Sequence, residues 1–171
     1  NAYYHLGESY INLDKKQQAL NAFRSASEMD FNVKIKEDAW LNYAKLSYDI
    51  GNPYMSTPQV LSDFLSTYPK SPFRETIESF LVDSYISSKN YKEALSLLES
   101  NMRNALKPSY QKVAFFRALE FFNNADFSSA QPLLKKAITL GVDPVITARA
   151  TYWNAEIEFL NLNFEDALQY F

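Results

Sequence analysis

The run Tyr3-Tyr4-His5-Leu6-Gly7-Glu8-Ser9-Tyr10, with Ala19-Leu20-Asn21-Ala22-Phe23-Arg24-Ser25-Ala26 starting nine residues after it, decides the fold. Tyr3, Leu6, Gly7 and Tyr10 fall at helical spacing, and so do Ala19, Phe23 and Ala26. A weaker copy returns down the chain. Small residues stand at Ala94, Ala130 and Ala167, 36 and 37 residues apart. A period of that size marks a helical-repeat solenoid in place of one globular core. Such chains present a long surface to a partner and rarely do chemistry.

Composition agrees with helices. Of 171 residues, 47% are apolar and 16% aromatic, with 12 Tyr and 13 Phe. Glycine occurs only at Gly7, Gly51 and Gly141. Scarce Gly with abundant Leu, Ala, Tyr and Phe suits helices packed through mixed large and small contacts. Strand runs bounded by Asn-Gly or Asp-Gly turns are absent. The net charge is −3 and the 17 basic residues are scattered, so no basic stripe points to nucleic acid. No run of about 18 apolar residues points to a membrane span. Without cysteine, disulfides and thiolate metal sites are excluded, and no cofactor is expected. Asn1 is not an initiator Met, Ala2–Tyr10 is already patterned helix, and Phe171 falls early in the last expected helix. The chain therefore reads as a piece of a longer protein.

Ten helices are predicted in five pairs, at about 1–13 and 15–29, 36–50 and 57–68, 72–88 and 91–102, 109–123 and 127–140, and 144–161 and 164–171. Asp14 is expected to cap the second helix, and Gly51–Asn52–Pro53 to end the third. Thr57–Pro58, Ser71–Pro72 and Asp143–Pro144 read as helix starts, with proline in the first turn. Gly141 is a stop. The second repeat has a longer inner turn, from Gly51 to Thr57, and Val60 where alanine is expected. Pro132 lies beyond the first turn of a helix starting at Asp126, which favours a later start near Ser128 or Ser129.

At these residues the chain resembles the tetratricopeptide repeat (TPR) family, whose helix-turn-helix carries W-x2-L-G-x2-Y, then A-x3-F, then Pro. The first repeat matches with Tyr3, Leu6, Gly7, Tyr10, Ala19, Phe23 and Ala26, and Phe31 replaces the proline. The second offers Trp40, Tyr43, Ala44 and Phe64. The third offers Leu81, Tyr85, Ala94 and Leu98, and the fourth Ala118, Phe121, Ala130, Leu134 and Ala137. The fifth offers Ala155, Ala167 and Phe171. Gly7, Ala44, Ala118 and Ala155 fall where two helices cross and a larger side chain would part them. The resemblance implies an all-α, right-handed superhelical solenoid of about five pairs over 1–171, with repeats near 1–34, 35–70, 71–107, 108–143 and 144–171, the last truncated. A narrower likeness lies in Phe64-Leu65-Ser66-Thr67-Tyr68-Pro69-Lys70-Ser71-Pro72. It is similar to the F-L-x-x-Y-P-x-S linker of bacterial cell-envelope TPR proteins, those of Bacteroidetes type included. The implied location is the periplasm or cell envelope, with the cytoplasm as the alternative.

Catalytic constellations are not in evidence. His5, the single histidine, pairs with Glu8 on one helix face, and two ligands do not make a metal site. There is no nucleophile-elbow motif or glycine-rich phosphate loop. The carboxylates Glu75 and Glu78, Glu156 and Glu158, and Glu165 with Asp166 read as solvated faces. No enzyme activity is expected.

In TPR solenoids the first helix of each pair lines the concave face. The resemblance places there Tyr4, His5, Glu8 and Ile11, then Leu41, Asn42, Lys45 and Tyr48, then Ser79, Phe80, Asp83 and Ile86. In the last two repeats it places Phe115, Phe116, Leu119 and Phe122, then Tyr152, Trp153, Glu156 and Phe159. Aromatic groups anchor protein interfaces because they bury much area at little entropic cost. Phe115, Phe116, Phe122 and Phe159 have an alternative role in packing neighbouring repeats. Only Asn42 and Lys45 match the carboxylate clamp of chaperone-binding TPR proteins, since Tyr4 and Glu8 hold the first-repeat positions. The expected function is a non-catalytic scaffold that takes a segment of another protein in this groove. The alternatives are a spacer between domains of the same chain, or a regulatory module of an enzyme outside it. The terminal repeats are expected to self-associate if their apolar faces are uncapped.

Overall fold

The computed structural model describes residues 2–30, 32–100 and 106–168. Among the described residues ten helices follow one another: α1 Ala2–Asn12, α2 Lys16–Ser27, α3 Val33–Ile50, α4 Thr57–Thr67, α5 Arg74–Ser87, α6 Tyr91–Ser100, α7 Lys107–Asn123, α8 Phe127–Leu140, α9 Pro144–Leu160 and α10 Phe164–Leu168. The expected all-α class is found, and every predicted helix has its counterpart. The roles expected of Phe31 and Phe171, and the end of the sixth helix at 101–102, lie outside the described residues.

The chain divides into two compact units, Asn1–Ser84 and Tyr85–Phe171. In the first, α2 packs against both α1 and α3, and α3 against α4. In the second, α7 packs against α6 and α8, α9 against α8 and α10, and α7 also touches α9. Within α1–α4 and within α6–α10 each helix thus packs on its neighbours in chain order, as a repeat stack requires. The small residues hold the places assigned to them: Ala19, Ala44, Ala94, Ala118, Ala130 and Ala155 are all fully buried. Val60, the exception to the alanine pattern, is buried as well.

One turn is built four times. Asp14, Lys89, Ala125 and Leu162 adopt left-handed backbone, with φ of 54°, 60°, 56° and 62°. Each donates its N–H three residues back, and the following residue donates five residues back, as in Asp14 N to Ile11 O (2.9 Å) and Lys15 N to Tyr10 O (2.9 Å). This double bond pattern is the Schellman motif, which satisfies the last carbonyls of a helix. Five residues after each left-handed residue comes Ala19, Ala94, Ala130 or Ala167, whose N–H closes the first turn of the next helix at 3.0–3.1 Å. The alanine periodicity of the sequence is therefore the shadow of a repeated turn.

The second repeat departs from this. Gly51 turns with φ of 78°. Asn52 then organises the inserted residues. Its amide donates to the Tyr43 hydroxyl and to Ser47 Oγ, both at 2.8 Å, and its oxygen accepts from Tyr54 N and Met55 N. Several helix starts differ from expectation, α7 among them at Lys107. Asp14 does not cap α2, because it is spent on the left-handed turn; Lys15 is the N-cap and contributes no side-chain bond. α3 begins at Val33, three residues early, because Asn32 Oδ1 accepts from Lys34 N (2.9 Å) and Ile35 N (3.2 Å). Ser56, not Thr57, is the N-cap of α4, while Thr57 Oγ1 donates to Ser47 O at 2.9 Å. α5 starts at Arg74, since Ser71 and Pro72 form a turn closed by Arg74 N to Ser71 O at 3.1 Å.

Pro132 corrects another expectation. α8 starts at Phe127 with Pro132 inside it, and the start is not delayed to Ser128 or Ser129. Asp126 fixes the early start by accepting from Ser129 N at 3.1 Å. The proline then removes one bond in the second turn of an otherwise intact helix, on an exposed face.

Candidate functional site

The site is built first from α1 and α3. One turn of α1 presents Tyr4, His5 and Glu8, which with Ile11, Phe23 and Asn42 help line a cavity of about 520 Å3. Tyr4 also lines a second cavity of about 440 Å3, with Ile35, Glu37, Asp38, Leu41 and Phe73 among its walls. Tyr4 is therefore the ridge between the two. Its hydroxyl donates to the Asp38 carboxylate. That bond, with burial second, raises the tyrosine pKa well above its ordinary value, so the hydroxyl stays a donor. Asn42 donates to the same carboxylate (3.3 Å) and to the Asp38 carbonyl (2.9 Å). The Tyr4 ring meets Phe23 edge-on at 5.8 Å, so the ridge rests on the α2 core.

Beside it, His5 Nδ1 lies 2.9 Å from Glu8 Oε2, and both side chains are exposed. Farther along the same face the Lys45 ammonium sits 4.9 Å over the Phe73 ring. Tyr48, 38% exposed, stacks on Phe80 with centroids 4.2 Å apart. Its hydroxyl lies 3.4 Å from Asp83, and burial raises its pKa, with Asp83 second. Tyr4, His5, Glu8, Asn42, Lys45, Tyr48 and Asp83 thus fall on the first helices of the first unit. Leu41 is buried where the others are at least partly exposed. It is 2% exposed and forms the floor of the smaller cavity, because its side chain points into the helix stack.

The second unit spends more of its aromatics on itself. Phe116 stacks on Tyr91 of α6 at 5.3 Å, and Phe115 is fully buried, with the Arg149 guanidinium over its ring. Trp153 meets Phe122 at 4.7 Å and Tyr152 at 5.4 Å. Leu119, Trp153 and Glu156 are half-buried. Tyr152 is 49% exposed and Phe159 is also exposed.

Two carboxylates expected on solvated faces are buried. Glu78 is 2% exposed and pairs with Arg74 Nε at 2.8 Å. Glu158 accepts from Gln131 and from Asn163 Nδ2 (2.9 Å), which ties α8 and the α9–α10 turn together. Among the described residues no three His, Cys, Asp or Glu side chains converge on a metal-sized site, and no helix is long and apolar enough to cross a membrane.

Sequence reasoning missed Asp38, Ile35 and Phe73. Ile35 belongs to the first turn of α3, ahead of the expected start at 36, and the signal that recovers it is Asn32, an N-cap residue immediately before Val33; Asp38 lies inside the expected helix, but its partner Tyr4 is 34 residues away. It also missed Gln111, which is fully buried. Its amide nitrogen donates to Ala137 O (3.0 Å), Asp143 O (3.2 Å) and Thr147 Oγ1 (2.9 Å), and its oxygen accepts from Asp143 N (2.7 Å).

Comparison with known proteins agrees with this architecture. Residues 1–33, the α1–α2 pair, match the family model described as tetratricopeptide repeat. The whole chain is similar in fold to solved structures of MamA. One superposes with a TM-score of 0.53 and 17% identity, over 97% of this chain and 90% of that one. A second, from Desulfovibrio magneticus RS-1, gives 0.50 and 15%, over 99% and 89%. A third, MamA AMB-1, gives 0.53 and 18%, over 99% and 86%. At such identities the likeness is one of fold. No curated protein sequence matches the chain.

Proposed function

We propose that this chain is a non-catalytic protein-interaction scaffold that holds a segment of a partner protein along the α1–α3 face of its first unit. The observation that carries this reading is the pair of cavities flanking Tyr4, lined by side chains already fixed in place. The Tyr4–Asp38–Asn42 bonds and the Phe23 contact preorganise the surface, so little ordering entropy is lost on binding. Tyr48 adds an exposed ring with a polar tip, the type of group that anchors interfaces.

A spacer role is the second reading, favoured in the second unit by the internal Phe116–Tyr91 and Phe122–Trp153 contacts. Capture from the source cell's envelope and cytosol fractions separates the two readings. The scaffold reading expects a protein retained by the native chain and lost with Tyr48→Ala at unchanged helicity. Equal or absent retention by both folded forms favours the spacer. The segment Phe64–Pro72 supports an envelope location, and the fractionation reads that as well. Self-association through the α9–α10 end is supported by its exposed Leu160, Leu162, Phe164 and Leu168. Sedimentation velocity across a concentration series tests it, and a monomer throughout would remove it.

A further inference from the structure

We propose that the segment bound beside Tyr4 is basic and apolar: an extended stretch with a lysine or arginine close in sequence to an aromatic or branched aliphatic residue. This rests on the scaffold reading and names the chemistry of its partner. Both cavities are of ligand-site size, about 300–1,000 Å3 in general. Their walls differ. Ile35, Leu41, Pro72 and Phe73 make the smaller one apolar. His5, Glu8, Ser9, Asn12 and Asn42 make the larger one polar. A segment crossing the Tyr4 ridge therefore meets an apolar subsite and then a polar one.

Charge decides the sign of the segment's ionised residue, since Glu37 and Asp38 stand at the edge of the apolar cavity and Glu8 in the polar one. Glu8, Glu37 and Asp38 line the two cavities, and Lys34 is the one lysine or arginine among the lining residues. The donors that reach Asp38, the Tyr4 hydroxyl and the Asn42 amide, are both neutral. They hold the carboxylate in place and leave its charge uncompensated. Glu8 Oε2 lies 2.9 Å from His5 Nδ1, with both side chains exposed. Lys45, on α3, lines neither cavity and sits over the Phe73 ring. Three carboxylates against one lysine leave the lining net negative, so an acidic segment or a chain-terminal carboxylate is repelled on balance and a cation is attracted. The apolar residue fills the Ile35–Phe73 cavity and removes its walls from water.

The test is selection of a random peptide display library on the native chain, followed by anisotropy titration of the enriched peptides in synthetic, fluorescent form. Enriched peptides are expected to pair Lys or Arg with a neighbouring apolar residue, and their affinity to fall as salt rises. Asp38→Asn keeps an oxygen for Tyr4 and Asn42 and removes the charge; binding should weaken about tenfold. Glu8→Gln lies on an exposed position and leaves packing untouched; it should weaken binding about twofold to fivefold. Enriched peptides that are acidic or uncharged, yet are lost with Ile35→Glu, overturn the basic assignment and leave the scaffold reading standing. Enrichment unaffected by Ile35→Glu, Asp38→Asn and Glu8→Gln overturns the site. If the folded chain enriches no peptide, both the assignment and the scaffold reading fail.

Discussion

Gly7 owes its identity to Phe23. A Cβ at that position would stand 2.8 Å from the Phe23 ring, closer than such contacts allow. Alanine improves helix propensity by about 1 kcal/mol, but overpacking a buried ring costs about 1–3 kcal/mol. Phe23 is itself buried and braces Tyr4, so it has little room to give. Gly7→Ala should therefore lower stability in denaturant titration; a stabilised variant would mean that the ring swings aside freely. Gln111 makes the opposite case. Replacing it with Leu leaves the Asp143 N–H without its partner, while the carbonyls of Ala137 and Asp143 keep their bonds from Gly141 N and Thr147. The loss should be about 1–3 kcal/mol in thermal unfolding, and a neutral result would mean that water takes over that bond. Gly7 was legible in the sequence because its spacing repeats at Ala44, Ala118 and Ala155. Gln111 was not, since a buried amide has no periodicity and its partners lie 26 to 36 residues away.

The repeated Schellman turn sets the geometry of the helix pairs. Its left-handed residue is Asp, Lys, Ala or Leu, where glycine is the residue expected from backbone energetics. That conformation costs an L-residue about 1–2 kcal/mol, while glycine adds about 0.4–1 kcal/mol of unfolded-state entropy. Ala125→Gly should therefore stabilise the chain by about 0.5–1 kcal/mol in equilibrium unfolding. A loss would show that the alanine methyl makes a contact worth more than the strain. The same turn explains why Asp14 is no cap: its backbone is already committed to ending α1. Pro132 is tolerated for a related reason, because Asp126 anchors the first turn of α8 firmly enough to absorb one missing bond.

For the molecule as a whole, packing in chain order makes stability a sum of local and nearest-neighbour terms. A lesion should then stay near its origin. Ala19→Leu, which overpacks the fully buried crossing of α2, should speed amide exchange in the first unit and leave the second close to native. Uniform acceleration in both units would mean that the chain unfolds as one cooperative body. The sequence by itself determined the helical class, the number and limits of most helices, and the small residues at their crossings. Those features follow from local periodicity and steric size, which are written in neighbouring residues. Only the tertiary structure decided which face residues meet. It placed Leu41 in the core, buried Glu78 and Glu158, turned Phe115 inward, and joined Tyr4 to Asp38 across 34 residues. The physical reason is that burial and hydrogen bonding depend on how helices stack in three dimensions. Asp38 stood within the expected third helix, yet its bond to Tyr4 and the cavity beside it depend on how α1 meets α3.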